Sequence, residues 1–505
     1  MQLSTSGSEN TGTKSIKRAL LAACIFAAFA IMRDASILWA FSFGFYRDSN
    51  LYVSLGKALF QKPSPFSAGI VTFPYPFLNA ITLSSLNPVT LVWLQILIGG
   101  VAVGVLTYVI AKKHLWLAIL VGLLLVSDLI WGAINRNVMK EGPFVSFNVL
   151  SLAILVSHYD RRDRLSDWEL MLVGILYGWT FIFRPSSLFL AILIPPVYLW
   201  LTHSWRKTAV LLSGFAIIYL ALGLFNLWSV GRFKIFGESG YYTGSPLFVY
   251  RLFSPSNGPA SQELGSKFDA CMPDFDYANA METSAGGTVN NELLYGKFIP
   301  CLYSFGMDLN EATDLITRAY IEGIMRNPAY FAGVVIREGI TFLKYATPNI
   351  LRFYLKPELN NRCEDYVWCE NIRESRYSWG EKVPMARLYE RVATKVFQIY
   401  LLPILPLTLV FPGNPYLPFA IAWILLVAFV LIASQGSVRF LVLSSLLFIH
   451  YVIITVVSGY GFLARYSSVL TPFYIIVSAV AMFTSARLLW SIIRRICRTS
   501  CQLVS

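Results

Sequence analysis

The chain has 505 residues, 56% hydrophobic and 14% charged, with a mean hydropathy of +0.58. A soluble protein carries about 25% charged residues, so this composition excludes an ordinary soluble domain and points to a polytopic membrane protein. The formal net charge of +13 does not indicate nucleic acid, because basic residues fall in short clusters between apolar runs, at Lys112-Lys113, Arg161-Arg162 and Arg206-Lys207. That is the positive-inside pattern of cytoplasmic loops, and no nucleic-acid motif accompanies it.

Apolar segments over 19–41, 87–111, 115–134, 143–158, 168–183, 187–202, 208–230, 396–411, 416–434, 440–458 and 469–491 read as membrane spans. The first, preceded by Lys14, Lys17 and Arg18, has a signal-peptide outline with Ala28-Phe-Ala30 as cleavage site. Apolar sequence resumes after Arg33-Asp34 through Ile37-Leu-Trp-Ala-Phe41, so a retained span is expected. With the N-terminus inside, loops 42–86, 135–142 and 184–187 and the long segment 231–395 fall outside. Eleven spans would leave the C-terminus outside, whereas Arg494, Arg495 and Arg498 prefer the inside. The reading is therefore an all-α protein of 10 to 13 transmembrane helices with the C-terminal side undecided.

Loop 42–86 opens with Tyr46-Arg-Asp-Ser-Asn-Leu-Tyr52. Leu51, Leu55, Leu59 and Phe60 recur at helical spacing, which predicts a short helix along the membrane surface with Asp48 just before it. Backbone N–H groups at such a start hold a carboxylate while leaving one oxygen available; a solvated interfacial acid is the plainer alternative. Thr72-Phe-Pro-Tyr-Pro-Phe77 follows as a rigid aromatic segment suited to the headgroup boundary, with Tyr75 at its centre.

The second outer loop reads Asn135-Arg-Asn-Val-Met-Lys-Glu-Gly-Pro143. Glu141 stands at a helix start, where the dipole alone would favour it, and Asp128 reads as a structural partner for a nearby cation. Arg136 and Lys140 supply positive charge beside it. Arg184, in Phe181-Ile-Phe-Arg-Pro185, is either a phosphate-binding fork or a topology anchor, and Arg465-Tyr466 poses the same choice before Pro472.

Segment 231–395 is the sizeable soluble part, Gly- and Ser-rich at first and helical from 308 to 345, with Asn327-Pro328 marking a helix boundary. It divides the chain into a transmembrane module 1–230, the soluble segment 231–395 and C-terminal helices 396–505. Cys271, Cys301, Cys363 and Cys369 all lie in it, an even set that predicts two disulfides on an oxidising face. Their spacings lack the close pairs that structural zinc prefers.

These pieces, in order along nearly the whole chain, resemble the GT-C superfamily of membrane glycosyltransferases, which includes protein O-mannosyltransferases and the lipid A aminoarabinose transferase. The resemblance rests on Asp48-Ser-Asn-Leu-Tyr52, Pro74-Tyr-Pro76, Arg136-Asn-Val-Met-Lys-Glu141, Phe183-Arg-Pro185 and Arg465-Tyr466-x5-Pro472. The chain departs from the pattern at Ser49, where some relatives carry a second acid, and at Thr72 and Phe73, near which a lysine is often found. The resemblance implies a GT-C-like fold and inverting transfer of a sugar from a polyprenyl-phosphate donor to a glycan, lipid or protein acceptor on the outer face of the plasma membrane. Asp48 would be the general base and Glu141 a second catalytic acid. Tyr52, Tyr75, Arg136, Lys140, Arg184, Arg465 and Tyr466 would bind substrate. No cofactor is required, and a divalent cation on the acidic pair stays open. A lipid-linked glycan flippase and a polysaccharide polymerase or ligase are the competing readings.

Overall fold

The computed structural model describes residues 6–45, 47–59, 73–160, 166–183, 195–196, 198–200, 202–230, 233, 240–271, 297–344, 351, 355, 379–401, 416–460 and 468–504. Arg184, Arg465, Tyr466, Cys363 and Cys369 lie outside the described residues, and so does the side chain of Asp48. The described chain is almost entirely helical, with no strand and one isolated bridge between Gly44 and Asn137.

Helix α1 (Ser6–Phe41) packs along α4 (Pro88–Ala111). Gly100 and Gly104 on α4 let the backbones meet, since a Cβ at Gly104 would stand 3.1 Å from the Ala23 carbonyl oxygen. Small residues spaced four apart are the usual device for close helix contact in lipid. Asn87 caps α4, its side chain accepting from Val89 N–H at 3.0 Å, with Pro88 at the first helical position.

Between them lie α2 (Arg47–Lys57) and α3 (Pro74–Ile81), packed on each other. The predicted helix is present, with Leu55 and Leu59 buried as expected, but it begins at Arg47 and so includes Asp48, and Leu51 falls on its open side. Tyr52, Val53, Leu55 and Leu59 are buried while Leu51 is exposed, because α3 and the second outer loop cover α2 on the Ser49–Tyr52 side.

The segment predicted as one span over 115–134 is two helices, α5 (Leu115–Val126) and α6 (Leu129–Asn135), bent by 57° at Ser127-Asp128. The cause is local. Asp128 accepts N–H bonds from Ile130 at 3.1 Å and Trp131 at 3.2 Å and so starts a new helix where the old one should continue. Then come α7 (Glu141–Asp160), α8 (Asp167–Ile182) and α9 (Trp205–Val230), the last two packed together.

Segment 231–395 supplies α10 (Gly240–Val249), α11 (Pro259–Cys271), α12 (Ile299–Ser304), α13 (Leu309–Arg326) and α14 (Pro328–Lys344), with α15 (Trp379–Leu401) following near its end. Phe248, Phe253, Phe268 and Phe298 form its aromatic core. A disulfide joins Cys271 to Cys301, ending α11 against α12. Asp308 and Glu311 form a reciprocal capping box at the start of α13, and Asn327 ends it before Pro328 opens α14. The chain closes with α15 (Trp379–Leu401), α16 (Tyr416–Ala433), α17 (Gly436–Tyr460) and α18 (Thr471–Val504).

Among the described residues, four helical stretches are long and apolar enough to cross a bilayer: Ser15–Phe41, Pro88–Ala111, Trp205–Trp228 and Thr471–Cys497. The bent α5–α6 pair makes a fifth if it is one span, and shorter apolar helices run over Glu141–Ser157, Trp423–Ala433 and Gly436–His450. Predicted spans 187–202 and 396–411 fall largely outside the described residues.

Candidate functional site

The loop before α2 and the loop after α6, both singled out by the sequence, meet through residues 43–49 and 136–138. After α1 ends at Phe41, Ser42 with a φ of 59° turns the chain out of the helix, and residues 43–45 run beside the second loop. Gly44 N–H donates to the Arg136 carbonyl at 3.3 Å, and the Gly44 carbonyl accepts from Val138 N–H at 2.9 Å. One turn into α2, the Ser49 hydroxyl donates to the Val138 carbonyl at 2.6 Å. The helix start that carries Asp48 is therefore tied directly to the loop that carries Lys140 and Glu141.

Beneath these loops lies a buried polar layer. Gln95, on the second turn of α4 and fully buried, donates through Nε2 to the carbonyls of Asn135 and Asn137, both at 2.8 Å. Its Oε1 accepts from the Tyr75 phenol at 2.9 Å. Tyr75 in turn packs edge-on to Tyr52, with ring centroids 4.9 Å apart. Asn135 donates to Asp34 Oδ2 at 2.8 Å, and Asp34 Oδ1 pairs with Arg33 at 2.6 Å. Arg33 then reaches across to the carbonyls of Leu125 and Asp128 at 2.7 and 2.9 Å, closing off the exposed backbone at the α5–α6 bend. Asp128 is thus a helix cap beside an arginine, a structural role.

Three glycines keep this layer close. A Cβ on Gly99 would lie 2.7 Å from Asn135 Nδ2, one on Gly142 2.9 Å from Asn135 Oδ1, and one on Gly132 2.7 Å from Asp34 Oδ1. A side chain at Gly99 or Gly142 would crowd Asn135, and one at Gly132 would crowd the Arg33–Asp34 pair.

The charges above the layer divide into two kinds. Arg136 is fully buried and spends its guanidinium on backbone, donating to the carbonyls of Phe41, Ser42 and, at 2.7 Å, Leu355, while lying over the Phe41 ring. A guanidinium held in this way braces the end of α1 against Leu355, which suits a structural role better than the phosphate-binding role expected from sequence. Glu141, the first residue of α7, is 1% exposed and Lys140 before it 7%. Burial and, next, the nearby Glu141 carboxylate push the Tyr75 phenol well above its ordinary value. Lys382 on α15 was not singled out in the sequence. Partial burial and then the neighbouring Arg136 charge hold its ammonium below the ordinary lysine range.

Of the residues predicted from sequence, Tyr52, Tyr75, Arg136, Lys140 and Glu141 come together here, with the backbone of Asp48 beside them. The sequence reading passed over Gln95, Asn135, Asp34 and Lys382 as site residues. Gln95 did leave a signal, because an amide inside an apolar span is costly without a partner. Lys382 left none, being one exposed-helix lysine among several until the fold brings α15 to α6.

No protein-family model matches the chain, and neither a curated protein nor a solved structure matches it.

Proposed function

We propose that the protein is an integral membrane glycosyltransferase of the GT-C kind, moving a sugar from a polyprenyl-phosphate donor to an acceptor hydroxyl on the outer face of the plasma membrane. The observation that carries the reading is the bond from Ser49 to Val138. It brings the helix start bearing Asp48 against the loop bearing Glu141, two acidic positions that sequence alone could only list in order.

In this reading Asp48 takes the proton of the acceptor hydroxyl as its oxygen attacks the anomeric carbon. The new carbon–oxygen bond forms on one face while the bond to the phosphate oxygen breaks on the other, so configuration inverts and the polyprenyl phosphate leaves with the electron pair. Negative charge grows on that phosphate, and fixed cations beside the site lower the barrier. Lys140 and Lys382 fill that role; Arg136 holds the loop that positions them. Glu141, next to the Tyr75 phenol, orients a sugar hydroxyl. Profiling the lipids of a deletion strain tests the reading: a polyprenyl-phosphate sugar accumulates, and a lipid pool identical to wild type contradicts it.

A lipid-linked glycan flippase is the second reading. The bent α5–α6 pair favours it, since broken spans are common in transporters. Arg33 weighs against motion at that bend, because it bonds the carbonyls of Leu125, Val126 and Asp128 there. A flippase deletion would leave the donor on the inner leaflet with the transferase activity of isolated membranes intact, which separates the two.

A further inference from the structure

The terminal helix α18 changes character halfway. Residues from Thr471 to Ala481 are buried in the bundle, against α5, α16 and α17. From Ser485 to Cys497 every residue is exposed. At 1.5 Å per residue the 34-residue helix is about 50 Å long, whereas a hydrocarbon core is about 30 Å thick. The apolar stretch Thr471–Cys497 runs about 40 Å, the thickness of a bilayer with its headgroups, so the turns after Arg487 stand at the far headgroup boundary.

Those turns are amphipathic. At 100° per residue, Leu488, Leu489, Ile492, Ile493 and Ile496 share one face, and all five are exposed. Arg487, Arg494 and Arg498 occupy the opposite side by register, and Arg495 borders the apolar face beside Leu488. Arg487 and Arg494 sit over the rings of Phe483 and Trp490, at 5.8 and 5.6 Å. No acidic residue follows Glu390 anywhere in the chain, so nothing on this helix offsets its positive charge.

We propose that the last turns of α18, from Arg487 onward, dock on the anionic cytoplasmic leaflet, with Leu489, Ile493 and Ile496 in the acyl boundary and the arginines on lipid phosphates. Two features select this occupant. An anionic bilayer offers apolar and phosphate surface side by side, matching the two faces, and the same helix is already a membrane span, so the leaflet is where its chain emerges. A second copy would match the apolar face but bring eight like charges together. The docking also places the C-terminus inside, the side its arginines prefer.

The test is limited trypsin digestion of the full-length protein in nanodiscs of pure phosphatidylcholine or with a third phosphatidylglycerol. Cleavage after Arg494 and Arg495 is scored against the exposed Lys112-Lys113 turn in the same disc. Anionic lipid is expected to slow cleavage at the arginines about tenfold relative to the turn, in line with electrostatic attraction to the surface. Leu489→Ser with Ile493→Ser, both on exposed positions, is expected to abolish most of that protection while leaving the arginines in place. Equal cleavage in both discs overturns the proposal, as does protection that survives the double serine variant. Protection that depends on the number of copies per disc and not on lipid charge overturns it in favour of a second copy.

Discussion

Gln95→Leu isolates the layer that holds the two outer loops together. Leucine has nearly the volume of glutamine, so the change creates little cavity. It removes three hydrogen bonds: two from Nε2 to the carbonyls of Asn135 and Asn137 and one accepted from Tyr75. At about 1 kcal/mol each the loss is about 3 kcal/mol, falling to about 2 kcal/mol if the unfolded chain finds other partners within lipid. Tyr75→Phe removes a single bond and is expected to cost about 1 kcal/mol. Thermal unfolding of purified variants in one detergent reads the difference, with Gln95→Leu melting several degrees below wild type and Tyr75→Phe about a third as far. Hydrogen exchange over 135–141 should rise in both. Gln95→Leu melting with wild type, or Tyr75→Phe matching it in cost, refutes the claim that this glutamine ties the loops.

Three further outcomes are expected. Arg136→Lys is expected to destabilise by about 3 kcal/mol, because an ammonium cannot span the carbonyls of Phe41, Ser42 and Leu355; a stable variant with a raised donor KM would instead make Arg136 a substrate ligand. Replacing Cys271 and Cys301 by serine opens a loop of sequence separation 30, worth about 3.5 kcal/mol of unfolded-state entropy, and limited proteolysis should then cut 240–344 at a lower temperature. Burial would raise the Glu322 carboxyl, but the hydrogen bonds it accepts from the Ala260 and Ser261 N–H groups, helped by the nearby Ser261 hydroxyl and Arg318, hold it below its ordinary value. Its contribution is therefore present above the unfolded carboxylate value and lost as pH falls through the lower folded one. Exchange of the Ala260 and Ser261 amides in Glu322→Gln should exceed wild type at neutral pH and converge with it in acid; an unchanged gap across that range would contradict the assignment.

The helical membrane class was legible because burial of a helix in lipid leaves its mark residue by residue in hydropathy. The Cys271–Cys301 pair was legible as part of an even set in one polar segment, though not its connectivity. Glu141 was readable as a helix start, and the loop sequences around Asp48 and Glu141 were readable as polar islands at span ends. What the sequence could not show is their meeting, since the Gly44–Arg136 and Ser49–Val138 bonds join residues about ninety apart with no local pattern. The carbonyl partners of Arg136 were hidden for the same reason, one of them lying over two hundred residues away. The α5–α6 bend was hidden because apolar sequence resumes after Asp128, and only the capping geometry distinguishes a kinked pair from one span.

The most direct measurement compares wild type and Asp48→Asn for sugar transfer in nanodiscs, using as donor the lipid that accumulates in the deletion strain. With Asp48 as base, the asparagine variant should lose at least about a hundredfold in turnover while melting at the wild-type temperature. Wild-type turnover by a folded Asp48→Asn protein would contradict the account.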